Sequence, residues 1–153
     1  MRQISLCIPT FNRKDLLLES LAKVYENENI TEIIVSDDCS DMSLYLELES
    51  IFKDMPKVKL FRNESNEDCY KNKMRAISHA TNQWCILLDS DNVINFDYLY
   101  RLFQILDWDR RTIYAPDFAM PTFCYEQFSG LQVTKENVSM FVDEPMFETC
   151  LNT

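Results

Sequence analysis

The sequence predicts an α/β domain: a mostly parallel sheet, three layers deep, with helices on both faces. Two observations lead there. Strand-like apolar runs and helix-period stripes alternate four times within the first 106 residues. The composition is that of a globular chain, 46% apolar and 26% charged over 153 residues, and a chain of that size buries roughly 70% of its unfolded surface.

Each element has its own signal. "ISLCIP" (4–9) is a short strand stopped by Pro9, and Leu17, Leu21, Val24 and Tyr25 then recur at helix spacing. "TEIIVSDD" (31–38) reads as a second strand ending in acids. Leu44, Leu48, Ile51 and Phe52 repeat the helix stripe, with Ser40 or Asp41 as its N-cap. "KVKLFRN" (57–63) is a third strand, followed by a helix marked by Tyr70, Met74 and Ile77 and capped by Asp68. "WCILLDSD" (84–91) is the fourth strand, and Asn95 caps a helix carrying Leu99, Leu102, Phe103 and Leu106. Beyond residue 106 the period fades. "TIYAP" (112–116) reads as a fifth strand, and "PTFCYEQF" (121–128) and "LQVT" (131–134) as short strands or loops.

Charge and rare residues exclude several functions. A net charge of −10 argues against a nucleic-acid binder, which carries a basic stripe. In so acidic a chain an anion is held by a local basic patch, a helix N-terminus or a bridging metal ion. The one glycine, Gly130, rules out glycine-rich phosphate loops. Of the cysteines Cys7, Cys39, Cys69, Cys85, Cys124 and Cys150, none stands in a C-x-x-C pair, so they read as free thiols of a reducing compartment. No apolar run reaches the ~18 residues of a membrane span. The run before Pro9 is too short for a secretory signal, so the protein reads as cytoplasmic.

Ligands of parallel sheets bind beyond the carboxyl ends of the strands. That singles out residues 9–13, 37–41, 63–69 and 89–92. Asp89 and Asp91 are separated by Ser90 at the end of an apolar run. On a regular strand they share one face and flank one point, where like charges repel until a proton, water or cation intervenes. A hard divalent cation, Mg2+ or Mn2+, fits two carboxylates plus phosphate oxygens. The plainer alternative is that both acids cap the turn and helix that follow.

Three of these segments together resemble a known family. "IPTFNRKDLLLESL", "EIIVSDDCSD" and "WCILLDSDN" are similar to the nucleotide-sugar-binding half of a GT-A fold glycosyltransferase of family 2, over roughly residues 3 to 106. The family opens with a strand, proline, a small residue, an aromatic, Asn and a basic residue, here Pro9, Thr10, Phe11, Asn12 and Arg13. It continues with Asp-Asp-x-Ser-x-Asp, here Asp37 to Asp41, and with the D-x-D of Asp89, Ser90 and Asp91. The resemblance implies that Asp38 accepts a hydrogen bond from the donor base, usually uracil. It implies that Thr10, Phe11 and Arg13 line the nucleotide pocket. Asp91 would reach the metal, and Asp89 the ribose or the metal's water shell. The implied reaction moves a sugar from a nucleotide-diphosphate donor, a UDP-sugar, to a glycan or lipid-linked acceptor, with inversion. Work on lipid-linked acceptors implies the inner face of the membrane, reached through regions outside this chain.

The sequence also departs from the pattern. The family's Asn-x-Gly after strand three is replaced by "NESNED" (63–68), and its Arg-Asn pair on the next helix by Lys73 and Met74. Lys73 is the candidate for the missing charge; otherwise it belongs to a solvated basic face with Lys71 and Arg75. His79 reads as a surface residue. The family's general base usually lies further along than the 62 residues that follow Asp91. Asp143 and Glu144 of "VDEP" are the candidates here, against an ordinary acidic loop. Residues 1–106 are therefore expected to form the donor-binding region. Residues 107–153 would begin an acceptor-side region that continues in a longer protein, with self-association through the apolar surface left uncovered. A haloacid-dehalogenase-type phosphatase using Asp89 and Asp91, a receiver-type phosphoacceptor using Asp37 and Asp38, and a non-catalytic nucleotide-binding module are the alternatives.

Overall fold

The computed structural model describes residues 3–110, 112–116, 118–119 and 123–124. The chain divides into two compact units, Met1–Trp108 and Asp109–Thr153. The first holds β1 (Ile4–Thr10), α1 (Lys14–Val24), β2 (Ile30–Asp37), α2 (Met42–Phe52), β3 (Val58–Arg62), α3 (Asp68–Ser78), β4 (Trp84–Leu87) and α4 (Phe96–Gln104). In the second, β5 (Phe118–Ala119) pairs antiparallel with β6 (Phe123–Cys124).

The four strands of the first unit form one parallel sheet in the order β3-β2-β1-β4. The chain steps outward twice, then jumps back past β1. Because parallel crossovers are right-handed, that reversal sends α3 to the face opposite α1 and α2. The packing agrees. Leu17, Leu21 and Val24 of α1, Leu48 and Phe52 of α2 and Leu99 of α4 bury against Leu6, Ile8, Ile33 and Val35. On the other face, Ala76 and Ile77 of α3 pack on Cys7, Ile34 and Phe61. The predicted three-layer α/β architecture is the one observed. β1 and β2, covered on both faces, are buried nearly throughout, whereas Cys85 and Leu87 on the edge strand β4 are exposed.

Several predicted details differ. β4 stops at Leu87, so Asp89 and Asp91 sit in a turn and not on a strand face. On α3 the buried residues are Asn72 and Ala76, while Tyr70 and Met74 are 76% and 50% exposed. Of the predicted stripe only Ile77 packs inward; Tyr70 and Met74 face out, and Asn72, whose amide donates to the Ser36 and Thr10 carbonyls, takes the buried position instead. Glu67, not Asp68, takes the α3 cap position, and Asp41 takes that of α2; neither makes a side-chain capping bond. Asn95 caps α4 as expected, accepting from the N–H groups of Asp97 (2.8 Å) and Tyr98 (3.4 Å). Leu106 falls outside α4 and is 95% exposed. Residues 112–116 are irregular, not a strand. His79 is half-buried, its ring stacked on Phe61 at 3.8 Å, and is not a free surface residue. Cys7, Cys39, Cys69 and Cys85 are free thiols. Asp143, Glu144 and Cys150 lie outside the described residues.

At the amino end of the sheet, one acid ties the strands together. Glu32 of β2, its side chain 6% exposed, pairs with Lys59 of β3 and accepts from the Ser5 hydroxyl of β1. Its other partners are the Thr81 N–H and hydroxyl, each at 2.8 Å, just before β4. Burial alone pushes its carboxyl pKa up, but the hydrogen bonds from Lys59, Ser5 and Thr81 outweigh it and bring the pKa down to about 2. The four strands are thus anchored at one end, which fixes where their other ends emerge.

Candidate functional site

The carboxyl ends of β1, β2 and β3 and the turn after β4 form one edge. The strand order reverses at β1, so the crevice beside β1 and β4 is the switch point where such sheets take ligands. Parallel β1–β2 pairing carries to the very end, Thr10 opposite Asp37, and the Asp38 N–H donates to the Thr10 carbonyl at 2.9 Å.

The acid pair Asp37–Asp38 divides into two roles. The wholly buried Asp37 carboxylate accepts through Oδ2 from Arg62 Nη1 (2.7 Å) and the Ser40 N–H (3.0 Å). Arg62 also donates to the Ser40 carbonyl at 2.7 Å and lies over the Tyr45 ring at 4.7 Å. Asp37 is therefore an internal anchor of the β2–α2 loop. Asp38, 2% exposed, accepts through Oδ1 from Asn63 Nδ2 (2.8 Å) and the Glu67 N–H (2.9 Å), which joins it to the loop after β3.

The first loop is clasped to the second. The Asn12 N–H donates to Ser40 Oγ and its side-chain Oδ1 accepts from the Asp41 N–H, both at 2.8 Å. Asn12, Cys39 and Asp68 hold left-handed backbone, with φ of 52°, 64° and 70°. None is glycine; Asn12 and Cys39 sit in loops of this edge, and Asp68 opens α3 where the third loop ends. Pro9 and Thr10 are buried in β1, and the Thr10 hydroxyl has no partner among the described residues. Phe11 is 43% exposed, its ring free to offer a stacking face.

Asp89 and Asp91 do not share a point; each holds its own cation. Asp91 pairs with Arg13 from the β1–α1 loop. Asp89 pairs with Lys73 of α3 at 2.8 Å. Desolvation lowers the Lys73 pKa, but the hydrogen bond and charge of Asp89 more than offset it, so the ammonium is held above its usual range. Lys73 is thereby bound into the acidic cluster, not part of a solvated basic face. Ser90 between the acids is 3% exposed. The edge therefore brings together Arg13, Asp38, Lys73, Asp89 and Asp91 from four segments of the chain. Reading the sequence missed Arg62 and Asn72 and placed Asn63 in an edge loop without a role, because their partners lie in other segments.

A doubly wound parallel sheet with charged side chains gathered at its switch point defines an α/β domain built to take a ligand at its carboxyl edge. The model of "Glycosyl transferase family 2" matches residues 5–131, and the chain belongs to that family. Among curated relatives, it is 32% identical over 107 residues to the GalNAc(5)-diNAcBac-PP-undecaprenol beta-1,3-glucosyltransferase of Campylobacter jejuni, covering 68% of this chain and 34% of that one. It is 30% identical over 109 residues to abequosyltransferase RfbV of Salmonella typhimurium, covering 68% and 32%. The chain thus spans about a third of the length of these relatives. In fold it is similar to S. aureus TarS, with a TM-score of 0.57 at 24% identity over 67% of this chain and 31% of that one. It is also similar to the mannosyltransferase PcManGT of Pyrobaculum calidifontis, solved with GDP-Man and Mn2+, with a TM-score of 0.57 at 22% identity over 72% and 34%. The fold is the GT-A type. The family assignment leaves the phosphatase and phosphoacceptor alternatives without support.

Proposed function

We propose that this chain is the donor-binding part of a cytoplasmic glycosyltransferase that takes a UDP-sugar and serves a glycan or lipid-linked acceptor with inversion at the anomeric carbon. The observation that carries the reading is the placement of Asp38, Asp89 and Asp91 along one carboxyl edge of the parallel sheet in a family 2 chain. Asp38 keeps a carboxylate oxygen, Oδ2, that makes no hydrogen bond among the described residues, and an N–H of the base would donate to it. Phe11 offers its exposed ring to the base. Arg13 and Lys73 bring two cations to the strand ends, where the diphosphate would lie.

The donor set suits a hard divalent cation. Asp89 and Asp91 are both carboxylates, and their side chains are 41% and 39% exposed, open to water and phosphate oxygens. Among the described residues no group of three or more metal-ligating side chains occurs, so the remaining ligands would come from donor and solvent. Bound there, Mn2+ or Mg2+ supplies Lewis-acid stabilisation of the charge on the departing diphosphate. Asp89 and Asp91 would hold the metal, and Arg13 and Lys73, which pair with those carboxylates, would then be available to the phosphates. No helix among the described residues is long and apolar enough to cross a membrane. Contact with a lipid-linked acceptor would run through other parts of the protein.

Calorimetric titration of UDP, with Mn2+ and then with chelator, tests the reading. Binding is expected only with metal, and Asp91→Asn is expected to weaken UDP but not uridine. Equal affinity with and without metal refutes the metal role, and silence toward every nucleoside diphosphate refutes the donor site.

A further inference from the structure

We propose that Asn63 and Asn72 are positioning residues for donor recognition: together they fix which oxygen of Asp38 is left for the base. The proposal rests on the reading of Asp38 given above. A carboxylate only 2% exposed needs partners for its lone pairs. Asp38 satisfies one oxygen twice and the other not at all: Oδ1 accepts from Asn63 Nδ2 and the Glu67 N–H at 2.8 and 2.9 Å.

Asn63 cannot turn freely. Its amide nitrogen also donates to Asn72 Oδ1 at 3.2 Å, so both of its hydrogens are committed. Asn72, 3% exposed, stands on the buried face of α3 where the neighbouring turn offers Ala76. Its own amide donates to the Ser36 carbonyl at 3.0 Å and the Thr10 carbonyl at 3.4 Å. A continuous chain of hydrogen bonds therefore runs from the last residues of β1 and β2, through Asn72 and Asn63, to one oxygen of Asp38. A buried amide is stable on this face because every link is satisfied. The group left open is acceptor-only, so it pairs with an N–H of a base and disfavours a bare ring nitrogen.

The test is a double-mutant cycle on the 153-residue chain, with uridine binding followed by NMR titration and Mn2+–pyrophosphate binding measured alongside. Asn63→Ala is expected to weaken uridine about fivefold, the loss of one orienting hydrogen bond, and to leave pyrophosphate unchanged. In the Asp38→Asn background the same substitution is expected to add no further loss, because Asn63 acts through Asp38. An equal loss in both backgrounds overturns the proposal, since that is a general effect on the fold. Unchanged uridine affinity in Asn63→Ala, with a loss in Asp38→Asn, overturns the relay and leaves the role of Asp38 standing. No effect of Asp38→Asn overturns both. If Asn63→Ala does not fold, Asn72→Ala enters the same cycle one link back, with the same outcomes.

Discussion

Replacing Glu32 with Gln separates charge from shape at the anchored end of the sheet. The folded protein holds this carboxyl at about 2 against an ordinary value of 4.5. That difference corresponds to about 3 kcal/mol of folding stability at neutral pH, at 1.36 kcal/mol per decade. Because the folded pKa is the depressed one, the stabilisation is complete above the ordinary carboxylate range and is lost as pH falls toward about 2. Linkage gives about 1.5 kcal/mol remaining at pH 3. Glu32→Gln keeps the size of the side chain but leaves the Lys59 ammonium without its carboxylate and turns an acceptor into a donor at Thr81 or Ser5. Urea unfolding of both proteins at pH 7, 5, 4 and 3 is the assay. The gap between them is expected to be about 3 kcal/mol at pH 7 and to close by about half at pH 3. A gap that stays constant with pH refutes the reasoning, because Glu32 would then contribute through packing alone.

Two further expectations concern the other end of the sheet and the helix beyond it. Arg13→Ala removes the cation that Asp91 now holds, so Mn2+ without nucleotide is expected to bind about two- to fivefold more tightly by electron paramagnetic resonance; unchanged or weaker binding would show that Arg13 does not compete for that carboxylate. Asn95→Ala removes the side-chain cap of α4 and is expected to lower stability by about 1 kcal/mol in thermal unfolding, with uridine affinity untouched.

Much of the fold was legible because its signals are local. Pro9 at the end of β1, the acids that end β2 and the cap at Asn95 can each be read within a few residues. α3 shows the limit. Tyr70 and Met74 satisfy helix periodicity, yet Asn72 and Ala76 are the buried pair. Periodicity finds a helix but not the face a buried amide will choose when two strand-end carbonyls await it. The same holds for the acids. Their spacing was visible, but the D-x-D lies in a turn, where the two side chains part toward Arg13 and Lys73. That Arg62 holds Asp37 and Asn63 holds Asp38 was not visible in spacing, since each partner is 25 residues away from its acid.

The left-handed residues Asn12, Cys39 and Asp68 carry a thermodynamic consequence. Cys39 holds a conformation that side-chain sterics disfavour by roughly 1–2 kcal/mol, whereas Asn12 and Asp68 are of the types that take it more readily; all three are sustained by the surrounding folded structure. Hydrogen bonds between Asn12 and Ser40, between Asn12 and Asp41 and between Asp38 and Glu67 set the backbone of this edge in the folded chain. A molecule that binds at this rim meets backbone already set, and little of its binding free energy goes into ordering the loops. Selectivity at such a rim comes from how well a ligand matches fixed groups, with little scope for the loops to remodel around a poor fit.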